Sequence, residues 1–268
     1  MQKKWPELLD RVRDLVKPIR DKSRREAHKK KWWQHGDKRP ALYKQIEGQS
    51  EVFVISRVTK YISITKVTAK QIFSDAVCVL DLSSWASFSA LQCSFHELWV
   101  RRESSTMKND IRYTPSDSFD TYPFLHLGDL QLELIGEKYY NFRREIMISR
   151  NIGMTAVYNL FHNSFENAED IEQLRQLHTE LDTTVAKSYG WEDLKLCHGF
   201  YHTKHGIRYT IAENAAKEVL IRLIRLNQVI YQEEVKDDKN DNSKPSKPTG
   251  AKRLEPPDNQ LFLFDLEN

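Results

Sequence analysis

Residues 112–124 read Arg-Tyr-Thr-Pro-Ser-Asp-Ser-Phe-Asp-Thr-Tyr-Pro-Phe. Two prolines, two serines and two aspartates in so short a run are expected to give an extended, turn-rich connector, neither helix nor regular strand. Tyr113, Phe119, Tyr122 and Phe124 supply the apolar surface that would pin such a connector down. Ahead of it the chain alternates short strand patterns with one apolar helix; behind it almost every segment has helical period. The expected fold is therefore α+β: a small β-sheet with a packed helix, then a mostly helical C-terminal domain and a disordered tail. The expected boundaries are a basic helical lead-in over 1–44, an α/β domain over 45–127, the helical domain over 128–235 and the tail over 236–268.

Within that frame, residues 6–19 carry Leu8, Leu9, Val12, Leu15, Val16 and Ile19 on one stripe, with Pro18 expected to end or kink the helix. Residues 51–58 and 61–67 are rich in β-branched and aromatic side chains and close enough to pair antiparallel. Alternation over 61–67 sets Tyr61, Ser63, Thr65 and Val67 on one face and Ile62, Ile64 and Lys66 on the other. Residues 76–82 read as a buried third strand, and Ser83 or Ser84 would cap one helix running through Trp85, Phe88, Leu91, Phe95 and Leu98. Helices are expected over 129–150, 155–162, 170–188 and 213–234, with an irregular hairpin over 198–211. From Lys236 to Pro257 the chain is Lys, Asp, Asn, Ser and Pro with almost no apolar residue, the composition of a disordered linker.

Charge is distributed unevenly along the chain. Residues 1–44 hold 15 Lys/Arg against 6 Asp/Glu, whereas residues 45–124 hold 8 against 9. A basic segment on a nearly neutral body points to a polyanion such as double-stranded DNA. Lys29, Lys30, Lys31 and Arg39 are the expected phosphate contacts, with Trp32 and Trp33 either stacking on the ligand or serving as core. Arg57, Lys60, Lys66, Arg112 and Tyr113 are expected nearer the grooves. No run is long and apolar enough to span a bilayer, the mean hydropathy is −0.64 and the three cysteines are far apart. A cytoplasmic protein that does not enter a membrane is expected.

Together with residues 189–194 (Tyr-Gly-Trp-Glu-Asp-Leu), 198–200 (His-Gly-Phe) and 206–211 (Gly-Ile-Arg-Tyr-Thr-Ile), the 112–124 stretch carries a family likeness. From about Trp5 to Val235 the chain resembles the C-terminal target-recognition region of large adenine-specific DNA methyltransferases. Such enzymes belong to restriction–modification and BREX- or DISARM-type phage-defence systems. The resemblance implies sequence-specific DNA recognition by a module separated from its catalytic half. An amino-methyltransferase needs an Asn/Asp/Ser-Pro-Pro-aromatic tetrad to hold a flipped base. The one Pro-Pro pair here, Pro256 and Pro257, lies between Glu255 and Asp258, and no Phe-x-Gly-x-Gly turn occurs. S-adenosylmethionine would therefore be bound by a partner catalytic core, with no cofactor and no catalytic residue expected in this chain.

Four other readings stand beside this one. Asp182 with Asp193 and Lys195 has the spacing of a metal-dependent nuclease set, although Asp182 falls inside a strong helical pattern. Cys197, His198, His202 and His205 have spacings that would allow zinc, but hydrogen-bonded histidines on a hairpin suit them better, and no metal is expected. The acidic helices and tail also fit a protein–protein adaptor. Finally, Gln260, Leu261, Leu263 and Phe264 resemble the peptide with which bacterial replication and repair proteins dock on the sliding clamp.

Overall fold

Four consecutive apolar residues, Val52 to Ile55, are buried, as only a strand covered on both faces allows. They belong to β1 (Glu51–Ser56), the centre of a three-stranded sheet in the computed structural model of the protein. The model describes residues 5–36, 38–104, 106–107, 110–124 and 129–240. They form two compact units that divide between Gly48 and Gln49. The clamp-like residues Gln260, Leu261, Leu263 and Phe264 lie outside the described residues.

The first unit contains α1 (Pro6–Asp21), α2 (Glu26–Lys30) and α3 (Pro40–Gln45). Contrary to expectation, α1 runs on through Pro18 to Asp21. Proline in a helix removes one intrahelical bond. Here only three residues follow it and its ring is exposed to solvent, so the helix gives up little by continuing.

The second unit begins with β1, followed by β2 (Val58–Thr59), β3 (Thr65–Thr68) and β4 (Val77–Leu80). β1 pairs antiparallel with β3, Val52 opposite Val67, and with β4, Val54 opposite Val79. The expected strand over 61–67 is regular only from Thr65, and its alternation fails because Tyr61, Ile62 and Ile64 are all buried. Side chains replace the missing ladder there. Gln92 accepts from the Ile64 N–H at 3.0 Å and donates to the Ile62 carbonyl at 2.9 Å, and Arg143 donates to the Ile64 carbonyl. Buried backbone groups need partners, and these supply them without a neighbouring strand.

The expected single helix after Ser84 is two, α4 (Trp85–Gln92) and α5 (Ser94–Glu103). Ser84 caps α4 by accepting from the Ser87 N–H at 3.0 Å. Cys93 is extended, with φ −70° and ψ 163°, and that break aims the Ser94 N–H at the Asp182 carboxylate 2.8 Å away. A second small sheet follows from β5 (Thr106–Met107) and β6 (Asp110–Arg112), in the order β2-β6-β5. The connector then makes a π-helical turn over Pro115–Phe119. Tyr113 and Tyr122 are buried, and the Thr121 carbonyl accepts from Asn227 Nδ2 at 2.8 Å. The connector is thus fastened at both ends to packed elements.

The remaining elements are α6 (Leu130–Ser149), α7 (Met154–Phe161), α8 (Glu169–Ser188), the hairpin β7 (Gly199–Thr203) and β8 (Gly206–Thr210), and α9 (Glu213–Asn240). The hairpin is regular, with a two-residue turn and Gly206 at φ 89°, a conformation that favours glycine. α9 runs six residues beyond its expected end, into the stretch read as linker. One core extends from Phe53 and Ile64 through Phe88 and Tyr139 to Leu181 and Leu223, so sheet and helices share a single interior.

α4 and α6 approach closely at Gly136, where a Cβ would lie 2.4 Å from both the Trp85 carbonyl oxygen and Ser89 Oγ. Gly136→Ala gains helix propensity but forces α4 and α6 apart, and overpacking of this kind costs about 1–3 kcal/mol. A chemical-denaturation midpoint lowered accordingly is the expected result. An unchanged or raised midpoint would show that the two helices separate freely.

Candidate nucleic-acid interface

The expected contact residues of the first unit lie on α2 and just beyond it. Lys29 is already paired with Glu26 at 2.6 Å, whereas Lys30 and Lys31 are exposed. Trp32 and Trp33 pack edge to face with ring centres 5.7 Å apart, and Trp33 keeps 47 % of its surface open. Arg39 sits at the start of α3 with a left-handed backbone, φ 44°. Within this unit, Lys30, Lys31 and Trp33 present charge and an aromatic face to solvent.

In the second unit, Arg57 lies between β1 and β2 and donates from Nε to the Asp75 carbonyl at 2.9 Å. Val58 pairs directly with Arg112, so these two side chains share one face of the smaller sheet, both exposed. Lys60 donates to Asn159 Oδ1 at 2.9 Å while its ammonium sits 5.1 Å from the Tyr61 ring. Arg57, Lys60 and Arg112 therefore flank a single small sheet.

Two expected contacts are corrected by their surroundings. Lys66 lies flat on the Trp85 ring at 4.0 Å and pairs with Glu51 at 3.7 Å, so its stem and charge are spent on packing. Tyr113 is fully buried, its hydroxyl 3.4 Å from His96 Nε2 and its ring in the core. Burial also pushes its phenol well up, so it is a neutral core residue with no path to a duplex.

Arg208 is a further cation at this margin that charge patterning along the sequence does not single out. Its guanidinium stands 4.7 Å over Tyr61, the same ring that Lys60 approaches, so β8 adds a cation beside the β2 end of the sheet. The signal was present, because Arg208 lies inside the Gly-Ile-Arg-Tyr-Thr-Ile motif, but nothing local to that motif names its neighbour.

The nuclease reading fails on geometry. Asp182 is completely buried, accepting from Ser94 N–H and from His198 Nε2, each at 2.8 Å. Burial alone would push its carboxyl up, but His178, His198 and the Ser94 hydrogen bond outweigh that and hold it below the usual range. Asp193 is instead exposed and held by Arg222 through contacts of 2.6 and 2.8 Å. Asp182, Asp193 and Lys195 therefore form no site. Ser94, His178 and Asp182 also look like a catalytic triad, but Ser94 Oγ (3.1 Å) and Asp182 Oδ2 (3.7 Å) both face His178 Nε2. Relay of a proton needs the two ring nitrogens to face different groups, so this set cannot activate a serine.

The zinc spacing is equally dispersed. Cys197 is exposed with φ 49°, His198 turns in to Asp182, and His202 and His205 stand on the hairpin. Among the described residues no group of three or more His, Cys, Asp or Glu side chains converges as a metal site would. Nor is any described helix long and apolar enough to cross a membrane.

Residues 2–126 match the family model described as the MmeI target recognition domain. That match bears out the likeness to a target-recognition region read from short motifs. Among solved structures, the type IIL restriction–modification enzyme MmeI in complex with DNA superposes with a TM-score of 0.56 at 16 % identity. The likeness covers 84 % of this chain and 26 % of that one, and at such identity it establishes the fold. The chain thus spans about a quarter of the length of that enzyme. No curated protein matches it.

Proposed function

We propose that this chain is the DNA target-recognition module of an adenine-specific DNA methyltransferase in a bacterial restriction–modification or phage-defence system. The match of residues 2–126 to the MmeI target recognition domain carries this reading. The fold shared with an enzyme described in complex with DNA supports it. Exposed Lys30 and Lys31 in one unit, and Arg57, Lys60 and Arg112 around the small sheet of the other, supply the positive charge that backbone contact requires, with Trp33 an exposed aromatic face beside the two lysines. Methyl transfer would belong to a core elsewhere that binds S-adenosylmethionine, and the assembly would work in the cytoplasm. In this reading the chain's task is to hold duplex DNA in register while loops at the strand ends meet base edges.

Anisotropy of a labelled duplex, titrated with the purified chain over a range of salt concentrations, tests this. Log affinity should fall linearly with log salt, by about 0.9 per phosphate contact. Lys60→Ala with Arg112→Ala should flatten that slope by one to two contacts while leaving the melting temperature within a degree or two. Salt-insensitive binding, or a double variant with an unchanged slope, would remove this surface from the interface.

A further inference from the structure

α5 and the β7–β8 hairpin border a half-open cavity of about 40 Å³. Glu97, Arg101, His162, Thr203, His205 and Arg208 line it. The charges among them do not balance. Glu97 is committed to Arg101 at 2.6 Å; burial pushes its carboxyl up, but that arginine and its other neighbours bring it down to about 2. Arg208 is a second cation acting on that same carboxylate, with its Nε buried without a hydrogen bond and its guanidinium carbon 4.7 Å over the Tyr61 ring.

The two histidines do not offset this excess or add to it. Burial is the first cause that drives His162 down to about 3 and His205 to about 4, with Arg101 and Arg208 adding to it, so both are neutral near pH 7. His162 Nδ1 accepts from the Tyr209 N–H at 3.2 Å, which leaves its Nε2 as the protonated nitrogen. The cavity therefore has two guanidinium groups against one carboxylate in its lining, and the Arg208 Nε–H is a buried donor without an acceptor. The cavity is too small for a nucleoside.

We propose that this cavity is a binding site for a single phosphate oxyanion, with Arg208 as its principal ligand. A guanidinium matches a tetrahedral oxyanion through paired N–H donors, and a phosphate would satisfy the Nε that the fold leaves unpaired. Inorganic phosphate and a DNA backbone phosphodiester share this chemistry. The second source draws on the recognition role proposed above and is suggested by Lys60, which approaches the same Tyr61 ring. The site itself does not depend on that role.

The full chain, with its arginine side chains labelled for NMR, is titrated separately with inorganic phosphate and with duplex DNA, against chloride at matched ionic strength. The Arg208 Nε–H resonance is assigned by its loss in Arg208→Lys, which keeps the charge and removes that donor. A saturable shift of this resonance with either phosphate source, absent with chloride, is the expected result. A shift with DNA identifies the backbone as the source. In that case Arg208→Gln should lower the salt slope of duplex binding by about 0.9, one phosphate contact. A shift with inorganic phosphate alone supports the site and assigns it to the free ion. DNA binding with no response at Arg208 to either source overturns the site and leaves the recognition role standing. Phosphate binding by a chain that ignores DNA does the reverse.

Discussion

Arg143→Ala should destabilise the protein by about 3–5 kcal/mol. Arg143 is 1 % exposed and sits among the rings of Phe88, Tyr139, Tyr140 and Tyr158, each 5.5–5.9 Å from its guanidinium carbon. It donates to Gln92 Oε1 at 3.0 Å, to the Tyr158 hydroxyl at 2.9 Å and to the Ile64 carbonyl. Truncation leaves those acceptors short of a donor in a dry interior and opens a cavity as well. A buried acceptor without its donor costs about 1–3 kcal/mol. Arg143→Lys should recover only part of the loss, because an ammonium cannot reproduce a planar fork aimed at several acceptors. Equilibrium unfolding in urea measures both variants. A loss below about 1 kcal/mol for Arg143→Ala would mean that water enters and replaces the guanidinium.

Asp182→Ala is expected to cost a similar amount, about 3–5 kcal/mol, the range for removing one member of a buried charged network. The carboxylate joins three separate parts of the chain: the Ser94 N–H at the start of α5, His178 on α8 and His198 before the hairpin. Without it the α5 N-terminus points at nothing and His198 loses its acceptor. Asp182→Asn should fall between, since its amide oxygen can still accept from one of the two donors. This pair of variants also separates structure from chemistry. A catalytic carboxylate would leave stability nearly intact on conversion to the amide and abolish an activity. Here the thermal midpoint should fall in both variants, and a full-stability Asp182→Ala would contradict the buried-network account.

Arg143 and Asp182 are each a charge on an otherwise apolar helix face. Arg143 falls on the apolar stripe that carries Leu132, Ile135, Tyr139 and Ile146, and Asp182 lies next to Leu181 in a helix whose inward face includes Leu174 and Val185. A charge on a buried face signals a partner, but the partners lie 79 residues away at Ile64 and 88 residues away at Ser94. Periodicity carries no information over such separations. The same limit explains Ile62–Ile64, where alternation predicts a strand and Gln92 and Arg143 replace the ladder. By contrast the antiparallel pairing of β1 with β3, the Ser84 cap and the long helices α6, α8 and α9 were legible, because each rests on local pattern. In the candidate interface, charge singles out Arg57, Lys60 and Arg112, which lie at the margins of one small sheet. It could not tell Lys66 and Tyr113 from them, since stacking on Trp85 and burial beside His96 are tertiary facts.

Repeated selection from a pool of random-sequence duplexes tests most directly whether this fold reads DNA sequence as well as binding polyanions. The purified chain, at about 150 mM salt, should enrich one discrete site over successive rounds. Selected duplexes should then bind about a thousandfold or more tightly than unselected ones, the lower end of the range for specific over non-specific binding. A pool that stays random after many rounds, with selected and unselected duplexes bound alike, would contradict the recognition reading.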